Sequence, residues 1–176
     1  MTRRPIHARV QSGGGAPDDD AADAVRHAFA LWASGVAVVT ARDDDGRVYG
    51  MTVAALAPVS IDPPLVLACI HNDAPLASVL LPGVACGMSI LTEGQKRAAT
   101  TFADRFTVPG DLLVDEGDVP VVADAAATLL GTVDRVYDGG DHRIAIVRVE
   151  HVSASQPELP PLVYWRRGYR RLEPQD

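Results

Sequence analysis

Few residues in this chain have the types and spacing that chemistry needs. Five histidines are present: His7, His27, His71, His142 and His151. No two lie at the i, i+4 spacing of a helical metal pair and no HExxH occurs, so no metal site is expected. Ser34, Ser60, Ser78 and Ser89 lie outside any GxSxG context, which leaves a hydrolase triad without support. Three features remain. The first is GMTVAALAPVSIDPPL, residues 50 to 65. Its small side chains would let a ligand approach the backbone closely. Thr52 adds a hydroxyl, the amides of 52 to 54 add donors, and Ser60 adds a second hydroxyl beyond a proline-held bend. The same stretch also reads as a strand packed on a helix and ended by its prolines. The second is His142 in GGDHR, oriented by Asp141 or bonded only to its own turn. The third is the run Tyr164, Trp165, Arg166, Arg167, Tyr169, Arg170 and Arg171. It is either a phosphate- or nucleotide-facing patch or a solvated strand, and the solvated strand accounts for most of its arginines.

The elements that must carry these residues follow from periodicity and turn chemistry. Residues 1 to 19 are Gly-, Pro- and Asp-rich and read as a disordered tail, with one domain from 20 to 176. Val25, Ala28, Phe29 and Trp32 fall on one face of a helix over 21–34, with Gly35 just past its end. VAVVTAR (36 to 42) and VYGMTVAA form a hairpin about Asp45-Gly46. LVLACIH (65 to 71) is a buried strand, 74 to 81 a short helix, and VACGMSIL (84 to 91) another strand. Thr92 and Gln95 form a capping box for a helix ending near Ala103. Residues 104 to 122 read as irregular. Two long strands, 126 to 138 and 142 to 152, flank a tight GGD turn, and 160 to 172 reads as an edge strand or a strand and turn. About seven strands, three short helices and no βαβ alternation predict a small antiparallel barrel with helices on its outside.

Composition narrows the function. The formal charge of −7 argues against general nucleic-acid binding. Cys69 and Cys86 sit in apolar runs and read as buried thiols. No secretory leader and no membrane-length apolar run is found, so a cytoplasmic, reduced protein is expected.

Five motifs occur in order: WASGVAVVTA, DGRVYGMTVAALAPVSIDPPLVLACI, GVACGMSILTEGQKRAATTFADRF, GGDHRIAIVRV and PLVYWRRGYRRL. Over about residues 22 to 172 the chain resembles the flavin reductase-like family, which has the FMN-binding split-barrel fold. It is most similar to the small reductase components of two-component flavin monooxygenases. The resemblance implies a mainly β, antiparallel Greek-key split β-barrel of six strands with flanking short helices, assembled as a homodimer. It implies NAD(P)H-dependent reduction of FMN, or of FAD, by hydride transfer to flavin N5, with reduced flavin passed to a separate monooxygenase. Flavin contacts carried over are Ser34, Gly35, Val36, Thr52, Val53, Ala54 and Ser60, the last near the phosphate. Cys86, Gly87, Ser89, Gln95, Phe102 and Arg105 complete that side. His142 would face the nicotinamide of NADH or NADPH, with Tyr169 a weaker candidate there. Ser89 stands where many relatives carry Asn, and Trp165-Arg166-Arg167 is bulkier and more basic than is usual. Two other readings use the same fold: a flavoprotein that keeps its flavin and acts on a small molecule, and a flavin-binding protein without turnover.

Overall fold

The structure is a computed structural model. It describes residues 19–104, 108–154 and 158–172. Residues 1 to 18 of the expected tail lie outside the described residues, and so does Arg105. The chain opens with α1 (Asp19–Phe29) and β1 (Ser34–Gly35). A run of strands follows: β2 (Ala37–Arg42), β3 (Val48–Val53), β4 (Leu56–Ile61) and β5 (Pro64–His71). Next come α2 (Pro75–Val79), β6 (Ala85–Ile90), α3 (Lys96–Ala103), β7 (Leu113–Glu116) and β8 (Val119–Val122). The long pair β9 (Ala127–Gly139) and β10 (His142–Ser153) precedes β11 (Val163–Trp165) and β12 (Gly168–Arg170).

The fold is mainly β, as expected. Seven strands pair antiparallel in the order β3-β2-β6-β9-β10-β5-β4. The end strands β3 and β4 are not paired to each other. All seven nevertheless send side chains into one apolar cluster, among them Val39, Met51, Leu56, Ile70, Met88, Val133 and Val147. A sheet whose first and last strands share one core is curled around it. Leu76, Ala77 and Leu80 of the α2 region join the same cluster. The outer face of β2 does different work. Val36 and Val38 pack with Ala98, Ala99 and Phe102 of α3 in a second cluster. β2 is therefore buried on both faces, which is why its sequence is continuously apolar rather than alternating.

Several local expectations hold. Gly46 takes φ +79° in the β2–β3 turn, and Asp43 does more than decorate that turn. Its carboxylate accepts the Asp45 and Arg47 N–H groups and the Tyr49 hydroxyl. The Thr92–Gln95 capping box forms at the 3₁₀ turn that leads into α3.

Others are corrected. α1 ends at Phe29, so the expected stripe does not close over a core: Phe29 is 73% and Trp32 76% exposed. Gly35 lies in β1 rather than capping a helix. The stretch 104 to 122, read as irregular, contains the β7–β8 hairpin. The proline-rich stretch read as a strand end is itself the edge strand β4. Pro58 is tolerated there because β4 pairs on one side only. The two residues Asp62-Pro63, joined by a cis peptide, turn it into β5. The C-terminal run is a hairpin whose turn residues Arg166 and Arg167 both have positive φ. No helix among the described residues is long and apolar enough to cross a membrane.

Candidate functional site

An open groove of about 320 Å³ runs beside β3. Its floor is Met51, Thr52, Val53 and Ala54, with Val36 just before β2. Because β3 is an end strand, alternate backbone N–H and C=O groups on its outer side have no neighbouring strand. Tyr164 and Tyr169 make one wall, their rings edge to face at 5.5 Å. His71 and His142 make another, and Ala103 closes the end of α3. Gly50 sets the level of the floor. A Cβ there would meet Phe102 Cε1 at 2.6 Å, so only glycine lets β3 lie on that ring.

Six of the residues expected at a site line this groove: Val36, Thr52, Val53, Ala54, His142 and Tyr169. The Thr52 hydroxyl is not wholly available to a ligand. It donates to the Ala99 carbonyl at 2.8 Å and ties β3 to α3. Ser34 and Gly35 form β1, which pairs with β11 and brings Tyr164 alongside Ser34. They position a wall rather than line it.

Five more do not line the groove. Phe102 is fully buried under Gly50. Cys86 is buried in the main core, where burial first and the nearby Glu150 second push its thiol up to about 12. Gly87 faces the Pro120 carbonyl, 2.8 Å from where a Cβ would stand. The buried Ser89 hydroxyl accepts the Val122 N–H at 2.9 Å, which fastens β8. Gln95 uses both ends of its amide, accepting from Thr92 N–H and donating to Ala123 O.

Ser60 lies apart from this groove. It pairs with Leu65 at one end of β5, whereas His71 of the groove stands at the other end. Six residues at ~3.3 Å each separate those ends by roughly 20 Å. The prolines therefore carry Ser60 away from 52 to 54. It lines a second, apolar groove of about 460 Å³ with Leu56, Pro58, Ile61, Leu129 and Val152.

The titratable groups of the groove are held from its rim. His142 Nδ1 lies 2.6 Å from Asp141 Oδ1, and that contact holds the Asp141 carboxyl below its ordinary value. Burial raises Tyr169, partly offset by a hydrogen bond with Thr100. Among the described residues no three His, Cys, Asp or Glu side chains gather as a metal site.

Three groove residues were not anticipated, Met51, His71 and Ala103, while Tyr164 belongs to the aromatic and basic run read as a nucleotide-facing patch or a solvated strand. His71 had a readable signal. LVLACIH ends and HRIAIVRV begins on a histidine, so pairing those runs antiparallel brings the two imidazoles together.

Comparison with known proteins now places the chain. Residues 29–173 match the flavin reductase like domain. The chain is 41% identical over 151 residues to the reductase component of 4-hydroxyphenylacetate 3-monooxygenase from Thermus thermophilus, covering 85% of this chain and 96% of that relative. It is 38% identical over 148 residues to the flavin reductase (NADH) of Kitasatospora aureofaciens, covering 78% and 75%. Among solved structures, the Streptomyces globisporus NADH:FAD oxidoreductase in complex with NAD and FAD fragments superposes with a TM-score of 0.78. That pair is 32% identical, over 89% of this chain and 96% of that one. The chain belongs to the flavin reductase-like family.

Proposed function

We propose that this protein is an NADH-dependent flavin reductase that supplies reduced flavin to a separate monooxygenase, and that the groove beside β3 is where flavin and nicotinamide meet. The observation that carries the reading is the composition of the groove in a chain of this family. An unpartnered strand edge, small residues at 53 and 54, two tyrosine rings and two imidazoles surround about 320 Å³. That lining suits a flat polar ring system, which needs close backbone approach, edge donors and a few orienting groups. Bound flavin supplies the chemistry, accepting a hydride at N5 from the reduced nicotinamide.

The chain's own residues bind and orient. Val36 and the 52–54 backbone hold the flavin side. His142, pinned by Asp141, faces the nicotinamide. Tyr164 and Tyr169 limit water at the open wall. No general acid or base is needed, since stacking the two rings in contact is the main requirement. FMN is the flavin proposed, with FAD as the alternative. A cytoplasmic setting fits two free thiols and a diffusing NADH. A homodimer is proposed as well, using the apolar face on which Ile61 is 88% and Val152 66% exposed.

NADH and NADPH oxidation measured with FMN, FAD and riboflavin in turn tests the reading. Turnover that depends on added flavin is expected, and no oxidation with any flavin overturns it. His142→Ala should raise KM for the reduced nicotinamide and leave flavin affinity nearly unchanged. An unaltered rate at low NADH would remove that role.

A further inference from the structure

A flavin nucleotide or a nicotinamide dinucleotide brings phosphate with its ring, and the groove offers that phosphate little. The titratable side chains that line it are two imidazoles and two phenols. The apolar groove that Ser60 lines has no charged side chain in its lining. A phosphate carried into either would lose water without gaining a fixed cation.

A third pocket, of about 300 Å³, has the opposite character. Lys96, Arg170 and Arg171 line it, with Glu93, Gly94 and Leu162. Tyr169 lines both this pocket and the groove, so the two are neighbours across one side chain. Lys96 opens α3 and Ala103 ends it. Seven steps of ~1.5 Å therefore set this pocket roughly 10 Å from the end of the groove that Ala103 closes. Tyr169 is fastened between them by a hydrogen bond with Thr100 of the same helix. Ring and phosphate stand at a separation of that order in flavin and nicotinamide nucleotides alike, across a ribityl chain or a ribose.

The charges of this pocket are not spent on one another. Three cations accompany one carboxylate. The Glu93 carboxylate is 3.8 Å from Arg171 Nε, beyond hydrogen-bond length. Arg170 Nη1 donates to the Tyr169 carbonyl at 2.9 Å, which leaves its other N–H groups to a ligand. Lys96 has no ion pair among the described residues. The chain as a whole carries a formal charge of −7, a balance that repels phosphates, so this pocket is a local reversal. It also divides the C-terminal basic run. Arg170 and Arg171 join Lys96 beside the tyrosine wall, whereas Arg166 and Arg167 line a separate cleft with His27.

Arginine meets phosphate through paired N–H groups and lysine meets it as a point charge. We propose that the pocket of Lys96, Arg170 and Arg171 holds the phosphoryl group of a nucleotide whose ring lies in the groove beside β3. This rests on the flavin reductase reading above. The phosphoryl group belongs either to the flavin or to the nicotinamide dinucleotide, and separate titrations tell the two apart.

FMN and riboflavin, which differ only in the phosphate, are titrated by flavin fluorescence, and NAD⁺ by calorimetry. All three cations are exposed, so replacing them leaves the core intact. The double variant Lys96→Gln, Arg171→Gln should bind FMN about tenfold more weakly and riboflavin within twofold of the unaltered protein if the flavin supplies the phosphate. If the dinucleotide supplies it, FMN stays within twofold and NAD⁺ weakens about tenfold. Either pattern supports the pocket. Arg97→Gln removes an exposed cation of the same helix that pairs with Asp111 outside the pocket, and it should leave both ligands within twofold. FMN and NAD⁺ both within twofold in the double variant overturn the proposal. So does a riboflavin loss as large as that of FMN, or an Arg97→Gln loss as large as that of the double variant. Flavin-dependent NADH oxidation by the unaltered protein is measured alongside. Its absence removes the flavin reductase reading itself. Its presence with unchanged binding in the double variant sinks only the phosphate pocket.

Discussion

β3 and β4 are the two ends of one curled sheet, two residues apart in the chain, and they treat an exposed strand edge in opposite ways. β3 keeps its outer backbone groups open beside the groove and carries small or polar residues at 52 to 54. β4 blunts its edge. Pro58 has no N–H to offer, and the register with β5 shifts between Pro58 and Ser60. Its surface is apolar where that of β3 is mixed. An unpaired edge is a hazard unless something uses it. In this molecule one edge stays open beside a groove, and the other is disarmed and carries an apolar surface.

The contrast can be broken most forcefully from beneath β3. Phe102→Ala removes the buried ring on which Gly50 rests and should cost about 3–5 kcal/mol. The melting temperature should then fall on the order of 10 °C, and flavin should bind more weakly because the floor loses its support. A melting curve within 2 or 3 °C of the unaltered protein would show that β3 does not depend on α3. The next largest effect separates ligand from fold. Ala54 is exposed in the groove, so Ala54→Trp should lower flavin affinity about tenfold or more, roughly 1.4 kcal/mol, with little change in melting. Ser60→Ala at β4 should change neither. If Ser60→Ala weakens flavin as much, the two strands are not divided as described.

A smaller effect concerns the apolar end. Ile61→Lys should shift sedimentation from dimer toward monomer while the monomer stays folded, since Ile61 contributes nothing to the core. An unchanged sedimentation profile would place the interface elsewhere. The smallest effect is acidic. Burial opposes ionisation of Asp43, but hydrogen bonds from Arg47, Tyr49 and Asp45 outweigh it and hold its carboxyl low. A lowered folded value means stability present above the unfolded value and lost as pH falls through the folded one. Asp43→Asn should flatten that part of the acid limb in denaturation followed against pH. An unchanged limb would mean that the turn does not hold β3 in place.

What could be read beforehand divides along the same line. Local signals were sufficient for the β2–β3 hairpin, for the Thr92–Gln95 box and for the long β9–β10 pair, because turn residues and caps act within a few positions. The small residues at 52 to 54 were visible in the sequence, but local pattern left them open between a ligand floor and a strand packed on a helix, and only the place of β3 at the end of the sheet sets them beside the groove. That Ser60 lines a different groove from 52 to 54 was not legible, because a proline bend shows that the chain turns without showing which way. Gly87 and Ser89 looked available because they are covered by β8, a strand hidden in a Pro- and Gly-rich segment, and Cys86 because nothing local shows that it faces the main core. His71 meets His142, 71 residues later in the chain, only through cross-strand register, so the histidines that end one run and begin the other become a signal once those two runs are paired.

One contact near the C-terminal hairpin has a consequence for how the chain is made. The Ala30 and Leu31 carbonyls, just past α1, accept from Arg166 N–H and Trp165 Nε1, and β1 pairs only with β11. α1 and β1 thus leave the ribosome well before the partners they bond to. At ~5–20 residues per second, the intervening stretch keeps α1 and β1 waiting for several seconds or more while the sheet between them assembles. Tyr164 and Tyr169 arrive with those later partners, so the groove gains its aromatic wall after its floor is made.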